Sequence, residues 1–233
     1  APQLTKALPE FVNVLPDRLE QMTIQGLSNI MWAAATIRAE SQVLTASMPL
    51  VMDAFMVKID KATPQAISNA IWAVGMLRIR GDGTASFIQQ ALMRASRCMK
   101  SLDSQAIENI CWGLAVCEHR DAFFMGELSA VVASQLHHWD TRKLTFDLPA
   151  IIWAFAKLGV RSEHLLAKTA ERLPACLAKT SDWSLCALAW SIPKLQSKGR
   201  MSQLEQLAQQ EVKRRGFTAT EVQLRAEGPR HSG

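Results

Sequence analysis

Residues 27–37 read LSNIMWAAATI, an uncharged stretch with a tryptophan at its centre. Residues 67–77 read ISNAIWAVGML and residues 107–117 read IENICWGLAVC, the same pattern twice more. Aligned on tryptophan, the chain gives Trp32, Trp72, Trp112, Trp153 and Trp190, at spacings of 40, 40, 41 and 37. An aliphatic residue stands five positions before each one (Leu27, Ile67, Ile107, Leu148, Leu185). A small residue follows each directly: Ala33, Ala73, Gly113, Ala154 and Ser191. Self-similarity at a period near 40 is the signature of a repeat array.

The run around each tryptophan is apolar on nearly every side, so a helix formed there must be covered on several sides at once. Stacked neighbours can supply that cover. A tryptophan buries roughly 150–250 Å², worth about 4–6 kcal/mol of transfer free energy at ~25 cal/mol per Å². All five side chains are therefore expected to be mostly buried, with the small residue beside each letting the next helix come close. Thr23, Thr63 and Asp103 stand at N-cap positions, and Pro64 follows Thr63 at the first helical position. A second helix is predicted over each of 43–59, 84–99, 123–136, 163–177 and 202–215. No segment alternates with period two, so no strand is predicted. The expected fold class is all-α, an α-solenoid of about five stacked helix pairs.

The expected organisation is a partial capping unit over 1–20, repeats over 21–60, 61–100, 101–140, 141–179 and 180–215, and a short C-terminal extension over 216–233 with a frayed end. Solenoid ends need covering, and 1–20 would serve as the second helix of a preceding unit.

LSNIMWAAATI, ISNAIWAVGML and LPAIIWAFAKLG (148–159) resemble the first helix of octotricopeptide repeats, a family of organellar RNA-binding helical proteins, with similar helices in FAST-kinase-like proteins. The resemblance runs over about 20–215. The repeat here is slightly longer, and the family's proline-rich second-helix element is absent. The resemblance implies a non-catalytic protein of the mitochondrion or chloroplast. Its partner would be single-stranded or ribosomal RNA, in transcript maturation, stability or translation. A scaffold subunit of an organellar ribosome, or of another large organellar complex, is the competing expectation, with protein subunits as partners.

Composition narrows the partners. The net charge is +5, but eight of the 26 basic residues and only four of the 21 acidic ones fall from Lys194 onward. The preceding body is close to neutral, so attraction to nucleic acid must come from placement rather than bulk charge. No uninterrupted apolar run is long enough for a membrane span. Five cysteines (Cys98, Cys111, Cys117, Cys176, Cys186) without a CxxC pair read as buried thiols. The chain begins at Ala1 with no Arg/Ser-rich leader and reads as either a processed protein or part of a longer one.

HExxH, GxSxG, Walker A and GxGxxG signatures are missing, and no Cys/His spacing suits zinc. The expectation is therefore no catalytic residue, no metal and no cofactor; His137 and His138 read as solvent-facing. Three positions before the tryptophan stand Asn29, Asn69 and Asn109, then Ala150 and Ala187. Being identical, the asparagines read as a hydrogen-bond ladder between repeats, part of the structural signature with the tryptophans. Better base readers are Gln25, Gln65 and Gln105, seven before the tryptophan, and Ser28, Ser68 and Glu108, four before it. Both offsets put them on the Trp/Asn side of the helix, and such groups can bond exposed base edges. An ordinary polar flank is the competing reading. Six or eight residues after the tryptophan come Arg38, Arg78, Arg80, Arg120, Arg161 and Lys198. They read either as cations completing helix C-termini or as a ridge tracking phosphates.

Overall fold

In a computed structural model of the chain, residues 2–37, 42–195 and 200–227 are described, and every regular element among them is a helix. The chain is all-α, as the spacing of apolar residues predicts. No helix among the described residues is long and apolar enough to cross a membrane. Two compact units form, Ala1–His119 and Arg120–Gly233.

The first unit holds α1 (Pro2–Arg18), α2 (Ile24–Thr36), α3 (Gln42–Ala46), α4 (Met48–Val57), α5 (Pro64–Met76), α6 (Asp82–Arg97) and α7 (Ser104–Cys117). The tryptophan-bearing helices α2, α5 and α7 pack side by side in chain order; α4 packs on α6, and α1 on α3. The helix predicted over 43–59 is broken at Ser47, because Pro49 has no N–H for the carbonyl four residues back.

The second unit holds α8 (Ala122–Gln135), α9 (Leu148–Lys157), α10 (Glu163–Arg172), α11 (Asp182–Leu195), α12 (Arg200–Arg214) and α13 (Ala219–Glu227). Here α11 packs between α9 and α13, and α10 packs on both α8 and α12. A π-helical turn, Lys143–Asp147, precedes α9. Pro149 accounts for it: widening the turn moves aside the carbonyl that the proline ring would strike. Within the expected extension, residues 219–227 form α13 against α11, with Val222 and Ala226 buried.

The caps fix a common register. Thr23 Oγ1, Thr63 Oγ1 and Asp103 Oδ1 accept from the backbone N–H of Gly26, Ala66 and Ala106 at 3.1, 3.2 and 2.8 Å. At the other end, the residue six after the tryptophan is left-handed in three successive repeats: Arg78 (φ 52°), Glu118 (φ 56°) and Gly159 (φ 62°). The next N–H then reaches back across the helix end, from Ile79 to Val74 O, His119 to Leu114 O and Val160 to Phe155 O, at 3.2, 3.0 and 2.9 Å. Only the third repeat in this series uses glycine, the residue that adopts this conformation without steric cost. Glu118→Gly is therefore expected to raise stability by about 1 kcal/mol, net of the greater freedom of the unfolded chain. Urea denaturation checks it.

Cations at the ends of α4, α6, α10 and α12 reach back to an earlier turn. Lys58 Nζ donates to the carbonyls of Glu20 and Met22 at 2.6 and 2.7 Å, and Arg97 pairs with Asp60 at 2.9 Å. Arg172 donates to His137 O and Trp139 O at 2.8 and 3.1 Å, and Arg215 to Thr180 O and Ala178 O at 2.8 and 3.0 Å. The turn after α1 thus receives Lys58 much as the turn after α4 receives Arg97.

Arg215 is held in turn by Glu211 Oε1 at 2.9 Å, while Arg214 grips the same carboxylate at 2.7 Å. These donors pull the Glu211 carboxyl down from its usual 4.5 to about 2. A depressed carboxyl stabilises the fold above its unfolded value and stops doing so as pH falls through its folded value. Wild type should exceed Glu211→Gln in melting temperature at pH 6, and the gap should close between about pH 4.5 and 2.

Burial of the five tryptophans is not uniform. Trp112 and Trp153 are buried, Trp72 and Trp190 half-buried, and Trp32 is 47% exposed. The helix carrying Trp32, α2, has another tryptophan-bearing helix, α5, on one side only.

Candidate functional site

Where α2, α5 and α7 begin, the first unit has a cleft of about 460 Å³ whose lining includes Gln25, Gln65, Gln105, Asn69 and Asn109. The register explains the convergence. Each glutamine is the second residue of its helix, set by the cap two positions earlier, and each asparagine lies one turn further on the same face. Ser101 and the caps Thr63 and Asp103 complete the polar rim.

The three glutamines are exposed, and Asn69 and Asn109 are half-buried. Among the described residues, the Asn69 and Asn109 carboxamides make no hydrogen bond, so the ladder expected between repeats is not formed. Gln25 Nε2 does donate to Asn29 Oδ1 at 3.0 Å, but within its own helix. Two of the asparagines that sequence comparison set aside as structural, Asn69 and Asn109, are thus cleft residues. A polar residue repeated at helix position six, one turn beyond a repeated glutamine, was the signal for it.

Ser28, Ser68 and Glu108 go the other way. They are 0, 2 and 6% exposed, which removes them as surface readers. An offset of four residues from the tryptophan turns them toward adjacent helices, whereas the glutamines and asparagines face out. Ser68 Oγ donates to Gln65 O at 3.0 Å and lies at the floor of the cleft. In the later repeats the matching glutamine positions are Phe146, 43% exposed, and Trp183, whose ring meets Trp153 edge-on at 6.2 Å.

The basic positions do not behave alike. Arg80 donates to Val116 O at 2.9 Å, completing the C-terminus of the neighbouring α7. Arg161 forms an ion pair with Glu163. Arg78 and Arg120 are exposed and have no hydrogen-bond or ion-pair partner among the described residues. Arg38 and Lys198 lie outside the described residues. From Gln65 to the end of α5 at Met76 the chain climbs 11 residues of helix, about 16 Å at 1.5 Å per residue, and Arg78 follows in the turn beyond. Gln65 in the cleft and the exposed Arg78 therefore lie at opposite ends of α5.

Chemically the cleft can donate and accept hydrogen bonds, and among the described residues its lining includes no lysine or arginine. His137 and His138 are exposed, and no group of three metal-ligating side chains occurs among the described residues. The cysteines are free thiols, and burial pushes those of Cys111, Cys117, Cys176 and Cys186 up, away from the reactive thiolate. The chain matches no protein-family model and no curated protein.

Proposed function

We propose that this is a non-catalytic helical-repeat protein that binds single-stranded RNA through the carboxamide cleft of its first unit. The observation carrying the proposal is the alignment of Gln25, Gln65/Asn69 and Gln105/Asn109 along one cleft, from three helices in one register. Carboxamides present a donor and an acceptor side by side, the pattern that base edges offer. Repeat proteins that read one base per unit use side chains in this way. The finer architecture belongs to the same proposal: five helix pairs in one solenoid, with 141–179 and 180–215 continuing the array without the reading residues. An organellar setting, mitochondrion or chloroplast, and a role in transcript maturation, stability or translation come from the resemblance to octotricopeptide repeats.

The arginines enter as a secondary phosphate contact, with Arg78 and Arg120 as the exposed members and Arg80 assigned to the helix end. A cleft lined without cations predicts weak salt dependence. Binding of single-stranded 12-mers should change little between 50 and 300 mM salt. Replacing both Arg78 and Arg120 should flatten any remaining slope by up to about 0.7 per phosphate contact. Replacing Gln65 and Gln105 by Ala should weaken binding at every salt concentration.

One observation favours a second reading, a scaffold that binds protein in an organellar assembly. The near-neutral body and the carboxylate of Asp103 in the rim suit a peptide backbone better than a polyanion. Wild-type protein that binds no RNA at low salt would leave this reading in place and remove the first.

A further inference from the structure

We infer that the cleft reads two adjacent adenines, one at Gln65/Asn69 and one at Gln105/Asn109. The inference rests on the RNA reading above and adds the identity of the base.

Each pair places two carboxamides one helical turn apart, with Cβ atoms about 6 Å from each other. One pair thus offers two donor–acceptor faces instead of one. Among the four RNA bases, adenine alone has an amino group whose two hydrogens are each flanked by a ring acceptor. N6 and N1 form the Watson–Crick edge, and N6 and N7 the Hoogsteen edge. Glutamine and asparagine are the side chains that match such an edge with two bonds. A glutamine on one edge and an asparagine on the other would therefore bracket a single adenine.

The other bases fit less well. Guanine's Hoogsteen edge presents two acceptors, O6 and N7, and calls for arginine or lysine, which the lining does not include among the described residues. Cytosine has one donor–acceptor edge, and its second N4 hydrogen faces C5–H. Uracil has no amino group, so it cannot supply the two amino hydrogens that the paired carboxamide oxygens accept.

The two pairs are the same residues in the same register on neighbouring helices, so they must prefer the same base. A residue type shared by successive units cannot spell a mixed sequence, but it can spell a run. Gln25 closes one end of the cleft with its Nε2 already bonded to Asn29, and it is assigned no base here.

The test uses the purified chain and fluorescently labelled RNA nonamers: oligouridine, and oligouridine carrying AA, AU, UA, CC or GG at its centre. Binding of the AA nonamer about tenfold or more tighter than oligouridine, with AU and UA each losing similar shares of that gain, is the expected result. In Gln65→Ala/Asn69→Ala the preference for AA over a single adenine should disappear, with the melting curve of the protein unchanged. Equal binding of all the nonamers would overturn the adenine assignment and leave the RNA reading standing. Binding of none would overturn both. A preference for AA that survives the double substitution would overturn the assignment to this cleft.

Discussion

Trp153→Ala should cost about 3–5 kcal/mol of stability, the largest loss expected from any single tryptophan in this chain. Trp153 is 4% exposed and stacks edge-on with Trp183. Its indole Nε1–H donates to the carbonyl of Ala226, in α13, at 2.7 Å. Truncation therefore leaves a cavity against α11 and also an orphaned buried carbonyl. The two losses separate in Trp153→Phe, which keeps a ring and loses the donor, and should cost about 1–2 kcal/mol. Trp32→Ala is the control: a side chain 47% exposed should cost only about 2 kcal/mol. Urea denaturation of the three variants gives the ranking, and limited proteolysis within 216–227 reports whether α13 has come loose. Equal costs for Trp153→Ala and Trp32→Ala would contradict the burial that separates them.

The repeat and its helices were legible because they rest on local rules. An apolar run with a threonine or aspartate before it specifies a capped helix wherever it lies, and the caps at Thr23, Thr63 and Asp103 behave as their types require. Proline effects were local too, but their form was not. Pro149 could have ended a helix, yet the chain keeps the helix and widens one turn instead. Depth of burial was not legible, because it depends on which neighbours a helix has. The same Trp signature is covered in α7 and half open in α2.

The cleft was half legible for a related reason. Offsets of three, four and seven residues from the tryptophan all fall within one broad side of a helix, and sequence alone assigns them together. Helix–helix contact then divides that side: Ser28, Ser68 and Glu108 fall at the seam, while Gln65, Asn69, Gln105 and Asn109 fall on the rim. Repetition misled where it was taken for a structural signature. The clamps at Lys58, Arg172 and Arg215 were invisible for another reason. Their partners are backbone carbonyls some 35 residues away, which have no residue type to recognise.

Gly113→Ala should destabilise the protein by about 1–3 kcal/mol, although alanine is the better helix former. The helix-propensity gain is at most about 1 kcal/mol, so the sign depends on what the added methyl meets. At Gly113 it would lie 2.6 Å from Ile71 O and 2.9 Å from Ile71 C, backbone atoms of α5 that cannot rotate away. Relief requires α5 and α7 to move apart, and overpacking of that kind costs roughly 1–3 kcal/mol or more. Gly126, on the exposed face of α8, would meet nothing within 4 Å. There the same substitution should stabilise by up to about 1 kcal/mol. Opposite signs at the two positions, read by urea denaturation, would establish that Gly113 is kept for close approach. The approach has a consequence for the cleft as well. The separation of α5 and α7 sets the distance from Gln65/Asn69 to Gln105/Asn109, so Gly113→Ala should also weaken binding of the AA nonamer. Gly126→Ala should leave that binding unchanged.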